Sequence, residues 1–81
     1  MNYNIIVNKK SSKFISKQPK IDRIRIYDAI NNLPHGDIVK MAGYEDWYRL
    51  RVGNYRIIYT IEHNRLIIRV IKAGNRGDVY N

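Results

Sequence analysis

The hydrophobic pattern of the chain changes period near Asp37. Residues 3–7, with Ile5, Ile6 and Val7, read as a short strand of β-branched residues. A lysine- and serine-rich stretch follows, in which Phe14 and Ile15 are the large apolar side chains. It predicts a short helix over about 10–17, ended at Gln18-Pro19 because the residue before proline is driven out of the helical region. A second helix starts with Pro19 in its first turn and runs to about Asn32. Its apolar residues Ile24, Ile26, Tyr27, Ile30 and Leu33 fall on one broad face. Leu33-Pro34-His35-Gly36-Asp37 breaks it.

Beyond that break the period becomes 2. Ile38–Met41 predicts a short strand, and Trp47–Val52, Tyr55–Glu62 and Arg65–Ala73 predict three longer ones. Gly53-Asn54 suits a type II′ turn, with glycine at the first central position, and His63-Asn64 supplies a second two-residue link. The order is an N-terminal strand, two helices and an antiparallel β-meander, an α+β domain with the helices on one face of the sheet. Length allows a single domain over residues 1–81.

Two-residue turns fix a register. Val52 opposes Tyr55, Arg51 opposes Arg56 and Leu50 opposes Ile57; across the second link Ile57 opposes Val70 and Ile58 opposes Arg69. Alternation then gathers Tyr48, Leu50, Val52, Ile57, Tyr59, Ile61, Leu66, Ile68 and Val70 on the face under the helices. Trp47, Arg49, Arg51, Arg56, Ile58, Thr60, Arg69 and Ile71 fall on the other, with Arg51 and Arg56 exposed there. A slip of one residue would mix the two sets, so the pattern specifies its register.

Composition sharpens this picture. A domain of this length buries only about 60% of its unfolded surface. The chain has no cysteine, so neither a disulfide nor a thiolate metal site reinforces it, and a core drawn from its 44% hydrophobic residues must suffice. The net charge is +8, unevenly spread. Residues 1–21 carry Lys9, Lys10, Lys13, Lys17 and Lys20 and no acid; residues 47–76 carry Arg49, Arg51, Arg56, Arg65, Arg69, Lys72 and Arg76 against Glu62 alone. Such an excess matches a polyanion, and nucleic acid comes first. The apolar runs are too short to span or lie in a membrane, and the N-terminus lacks the pattern of a signal peptide, so the expected location is the cytoplasm.

Like charges placed directly across two strands destabilise a sheet. Arg51 and Arg56, flanked by Arg49 and Arg69, therefore read as a site for phosphate oxygens, which fit the arginine fork. The alternative is a solvated face on which these arginines pair with Glu45, Asp46 or Glu62. Trp47 either stacks on a base or covers the sheet edge. His35 and His63 read as loop residues. In the C-terminal stretch after the last strand, Arg76 and Tyr80 are placed to meet the arginine face.

The run Tyr48-Arg49-Leu50-Arg51-Val52-Gly53-Asn54-Tyr55-Arg56-Ile57-Ile58-Tyr59 resembles the central hairpin of the RelE/ParE toxin superfamily. Gly74-Asn75-Arg76-Gly77-Asp78-Val79-Tyr80 resembles its C-terminal signature, and the order of helices and turns matches as well. The resemblance covers essentially the whole chain. It implies the toxin of a type II toxin–antitoxin system: a metal-independent endoribonuclease that cuts messenger RNA in the ribosomal A site, needs no cofactor and is held inactive by a cognate antitoxin. The chemistry it implies is attack of a ribose 2′-hydroxyl on the adjacent phosphate. Carried over by position, Arg56 stabilises the phosphate, Arg76 serves the leaving group and Tyr80 orients or stacks the nucleotide. Arg49 stands where better-known members carry a lysine assigned as general base; guanidinium is a poor base, so Arg49 is expected to stabilise charge. Trp47 stands where those members have another basic residue; with Arg51, Arg69 and Lys72 it is read from the basic face as RNA-binding. The rival readings are a ParE-type toxin that poisons DNA gyrase without cutting RNA, and a nucleic-acid-binding module without catalysis.

Overall fold

A computed structural model describes residues 3–75 of the chain. The β-branched N-terminal run forms β1 (Asn4–Val7). Asn8 then caps α1 (Lys9–Ser16), its side-chain oxygen accepting the Ser11 amide at 2.8 Å and satisfying one of the amides that a helix start leaves open. Pro19 sits at the N-cap of α2 (Lys20–Asn31), where its missing amide costs nothing. The strands that follow are β2 (Ile38–Lys40), β3 (Trp47–Val52), β4 (Tyr55–Glu62) and β5 (Ile67–Asn75).

The sheet order is β1-β5-β4-β3-β2. The meander is antiparallel, as the sequence predicts, and β1 joins its far edge parallel to β5. Ile15, Ile26, Ile30 and Leu33 pack on Leu50, Ile57, Tyr59, Ile61, Ile68 and Val70 to form one core. Full burial of such side chains contributes about 1.5–3 kcal/mol each, which is how so short a chain closes a core without cross-links. On α2 the buried residues Ile26 and Ile30, with Leu33 just beyond the helix, repeat at the i, i+4, i+7 spacing of one face. Ile24 lies two residues, or about 200° of helix rotation, from Ile26; it is exposed, contrary to expectation.

The β3–β4 hairpin has the predicted register, Val52 with Tyr55, Arg51 with Arg56 and Leu50 with Ile57. Gly53 alone of the two turn residues has positive φ (56°), as a type II′ turn requires. The β4–β5 hairpin differs. His63 to Leu66 form a four-residue loop, with the Arg65 amide donating to Glu62 O and Leu66 at φ 53°, so β5 starts at Ile67 and Leu66 leaves the core face. Glu62 therefore pairs with Ile67, Tyr59 with Val70 and Thr60 with Arg69. A bulge then intervenes: Ile58 pairs with Lys72, and Ile57 with Ala73 in place of Val70. Ile71 is the extra residue, and its carbonyl accepts the Asn8 side-chain amide at 2.9 Å. The same asparagine thus caps α1 and ties the bulge to the β1 edge.

The hairpin is also pinned to the helices from its turn. The Tyr55 hydroxyl donates to Asp22 Oδ2 at 2.6 Å and lies 3.2 Å from Gln18 Oε1. The Asp22 hydrogen bond, with desolvation and the carboxylate charge behind it, pushes the Tyr55 phenol above its usual range. Tyr59, stacked on Tyr48 with ring centroids 5.4 Å apart, is pushed up to about 12 by burial and by that neighbour.

Candidate nucleic-acid interface

Pairing and alternation together place the basic residues on the sheet face opposite the helices. One row across the sheet holds Arg51, Arg56 and Gly74; the next holds Arg49, Ile58 and Lys72; the next but one residue along, Trp47, Thr60 and Arg69 line up. Without the bulge, Lys72 would share the core face with Val70. The inserted Ile71 flips it, so the lysine joins the arginines.

The guanidinium groups do not share one environment. Arg51 is exposed and gripped by Asp37: its amide donates to the Asp37 carbonyl at 2.9 Å and its Nε to Oδ2 at 2.6 Å. Arg69 Nε lies 3.6 Å from Glu62 Oε2 and Arg65 Nη1 3.8 Å from the same oxygen. Arg56 departs from the expectation of an exposed position, with only 8% of its surface accessible. Its Nη1 donates to Gly53 O at 3.1 Å and Tyr55 O at 3.0 Å. The turn that fixes the hairpin register therefore also fixes this guanidinium. Arg49 is half-buried between these groups, and Lys72 is exposed.

Carboxylates thus relieve part of the cross-strand repulsion, through Asp37, which sequence pattern did not single out, and Glu62, which it did. Asp46 instead lies 3.4 Å from His63, joining the two loops at that end of the sheet; His35 is an exposed loop residue. Trp47 is half-buried and stacks on Tyr44, with centroids 4.9 Å apart and rings inclined by 23°. Arg76 and Tyr80, expected to complete the site, lie outside the described residues. Among the described residues no group of three or more histidines, cysteines or carboxylates could hold a metal ion, and no helix is long and apolar enough to cross a membrane.

Fixed cations on a sheet, one of them dehydrated and held by backbone carbonyls, suit a phosphodiester. Comparison with known proteins gives this arrangement a family. The ParE toxin of type II toxin–antitoxin systems, of the parDE type, matches residues 9–80. The chain belongs to that toxin family. Its relatives extend across the RelE/ParE superfamily that the hairpin motif resembles. Toxin RelE3 of Methanocaldococcus jannaschii is 48% identical over 45 residues, 56% of this chain and 49% of that protein. A RelE-like toxin protein of Escherichia coli is 38% identical over 52 residues, 59% of this chain and 55% of that one. The matched stretches thus span about half the length of these relatives.

Solved structures extend the likeness to nearly the whole toxin fold. The archaeal RelE–RelB complex of Pyrococcus horikoshii aligns at a TM-score of 0.79 and 29% identity, covering 96% of this chain and 99% of that one. The RelB–RelE antitoxin–toxin complex of Methanococcus jannaschii aligns at 0.70 and 31%, covering 93% and 94%. The α+β order read from the sequence is therefore that of this toxin family.

Proposed function

We propose that the protein is a RelE-type toxin: a ribosome-dependent, metal-independent endoribonuclease that cuts messenger RNA in the cytoplasm and is silenced by a cognate antitoxin. One observation carries the reading: the β3–β4–β5 register and its bulge bring Arg49, Arg51, Arg56 and Lys72 onto adjoining rows of one sheet face. The likeness to proteins named RelE, and to structures of RelE bound to RelB, supports it.

In this mechanism a ribose 2′-hydroxyl attacks the adjacent phosphorus. The bond to the 5′-oxygen breaks, leaving a cyclic phosphate and a free 5′-hydroxyl. Negative charge grows on the phosphorane oxygens, and pre-fixed donors stabilise it without having to reorganise. Arg56 is suited to this because two carbonyls already hold it. In its dehydrated setting the attraction to a phosphate is stronger than in water. Arg49 lies one row away on β3 and shares the developing charge; Arg51, Arg69 and Lys72 track the RNA backbone. Arg76 protonates or neutralises the leaving oxygen and Tyr80 orients the nucleotide. A guanidinium at Arg49 does not take the 2′-proton readily, so that proton goes to water or to a ribosomal group.

The match to the ParE family favours one rival, a toxin directed at DNA gyrase. Primer extension on translated messages after brief induction separates the two. New 5′ ends inside coding regions are the expected result; intact messages with DNA damage would replace the ribonuclease reading by the ParE one.

A further inference from the structure

The stacked aromatic pair at the end of the basic face has no role in the chemistry above. We propose that Tyr44 and Trp47 form a base-stacking platform that seats one nucleotide of a single-stranded RNA whose phosphates lie on Arg49 and Arg51. The inference rests on the RNA reading of the previous section and names a subsite of that interface.

Backbone geometry positions the pair. Trp47, Arg49 and Arg51 occupy alternate positions of β3, so they share the basic face at intervals of about 6.8 Å. Tyr44 comes from the loop between β2 and β3, which is closed at both ends. The Met41 amide donates to Trp47 O at 2.9 Å, and the Tyr44 amide to Met41 O at 3.4 Å. Asp46 takes a left-handed backbone (φ 59°) just before the strand, and its carbonyl accepts the Ile61 amide at 3.2 Å. These bonds hold Tyr44 over Trp47.

The exposure is what points to a ligand. One face of the Tyr44 ring lies on the indole, yet the residue is 52% exposed. A tyrosine that served only to cover the sheet edge would bury more of its apolar ring. Here a ring held in place presents area to solvent beside a row of cations. A base stacked on it would continue the aromatic column while its phosphates meet the arginines. Such stacking tolerates any base, because every base has a π-face.

Trp47 is the chain's single tryptophan, so its fluorescence reports on this subsite alone. The probe is a short single-stranded RNA, 2′-O-methylated so that it is bound but not cut. Binding is measured by anisotropy of an end label, and stacking by Trp47 emission with the unlabelled strand, both at low salt. Quenching of Trp47 in step with binding is the expected result. Tyr44→Ala should weaken binding about 5- to 150-fold, the range for losing one stacked base, while Tyr44→Phe keeps it. Circular dichroism of both variants checks that the fold survives. Saturating anisotropy with unchanged Trp47 emission, or wild-type affinity in Tyr44→Ala, overturns the platform and leaves the RNA reading standing. Absence of any binding to the free strand overturns the platform as well, while the ribosome-dependent ribonuclease reading stands or falls on primer extension.

Discussion

Replacing Arg56 by alanine separates two ideas about the basic face. Cross-strand repulsion from Arg51, taken alone, predicts that the variant gains a few tenths of a kcal/mol. The structure reverses that sign. Arg51 already has Asp37 at 2.6 Å, which lowers the repulsion available for relief. Arg56, in contrast, gives hydrogen bonds to Gly53 O and Tyr55 O from a site only 8% accessible. Bonds from a charged donor contribute about 1.5–3 kcal/mol net. Gly53 is exposed, so water regains part of that loss at its carbonyl. The net expectation is a destabilisation of about 1–3 kcal/mol. In a domain of this size each kcal/mol lowers the melting temperature by about 4–8 °C.

Activity should fall further than stability. Losing one pre-fixed donor to a transition-state oxyanion typically costs about 10²- to 10³-fold in rate. Arg56→Lys keeps the charge but loses the planar guanidinium whose Nη1 reaches both carbonyls, so it should recover part of the rate and little of the stability. The assay is primer extension in a purified translation system, with thermal melts on the same preparations. Cleavage at the parental rate by a folded Arg56→Ala protein would refute the role in chemistry. A melting temperature at or above the parental value would refute the anchoring by the turn.

Asp37→Asn removes the partner of an exposed arginine. It should change stability by less than about 1 kcal/mol in urea titrations and tighten RNA binding at low salt, because Arg51 no longer has a competing carboxylate; unchanged or weaker affinity would contradict this. Tyr55→Phe loses the bond to Asp22 that pins the hairpin turn to α2 and should lower the urea midpoint. At alkaline pH the native state holds its Tyr55 and Tyr59 protons above the usual value of 10.0, Tyr59 up to about 12. Stability is therefore intact below about pH 10, where unfolded tyrosines begin to ionise, and falls as pH rises toward 12. Urea midpoints across that range, with Tyr59→Phe showing a shallower fall, check the sign.

The difference between what sequence pattern reveals here and what it hides follows the range of the forces involved. The β3–β4 hairpin is legible because Gly53-Asn54 encodes its turn locally, and the alternation on either side has one solution. The β4–β5 register is not, because Leu66 adopts a left-handed backbone that no local signal announces, and the bulge at Ile71 is secured by Asn8, sixty-three positions away. That distant bond is what puts Lys72 on the basic face. Ile24 reads as core by composition and is exposed by rotation, since helix phase is set by which residues the sheet can accept. The burial of Arg56 has a similar origin: alternation assigns its face correctly, while the carbonyls that hold it belong to the turn's geometry. Charge clustering thus finds the basic face and tertiary contacts decide how each charge is held. Two arginines of equal sequence standing, Arg51 and Arg56, end in opposite states: one exposed and matched by a carboxylate, the other dehydrated and fixed by backbone. In the proposed reaction the scissile phosphate gains more from the second, because its orientation is settled before the substrate arrives.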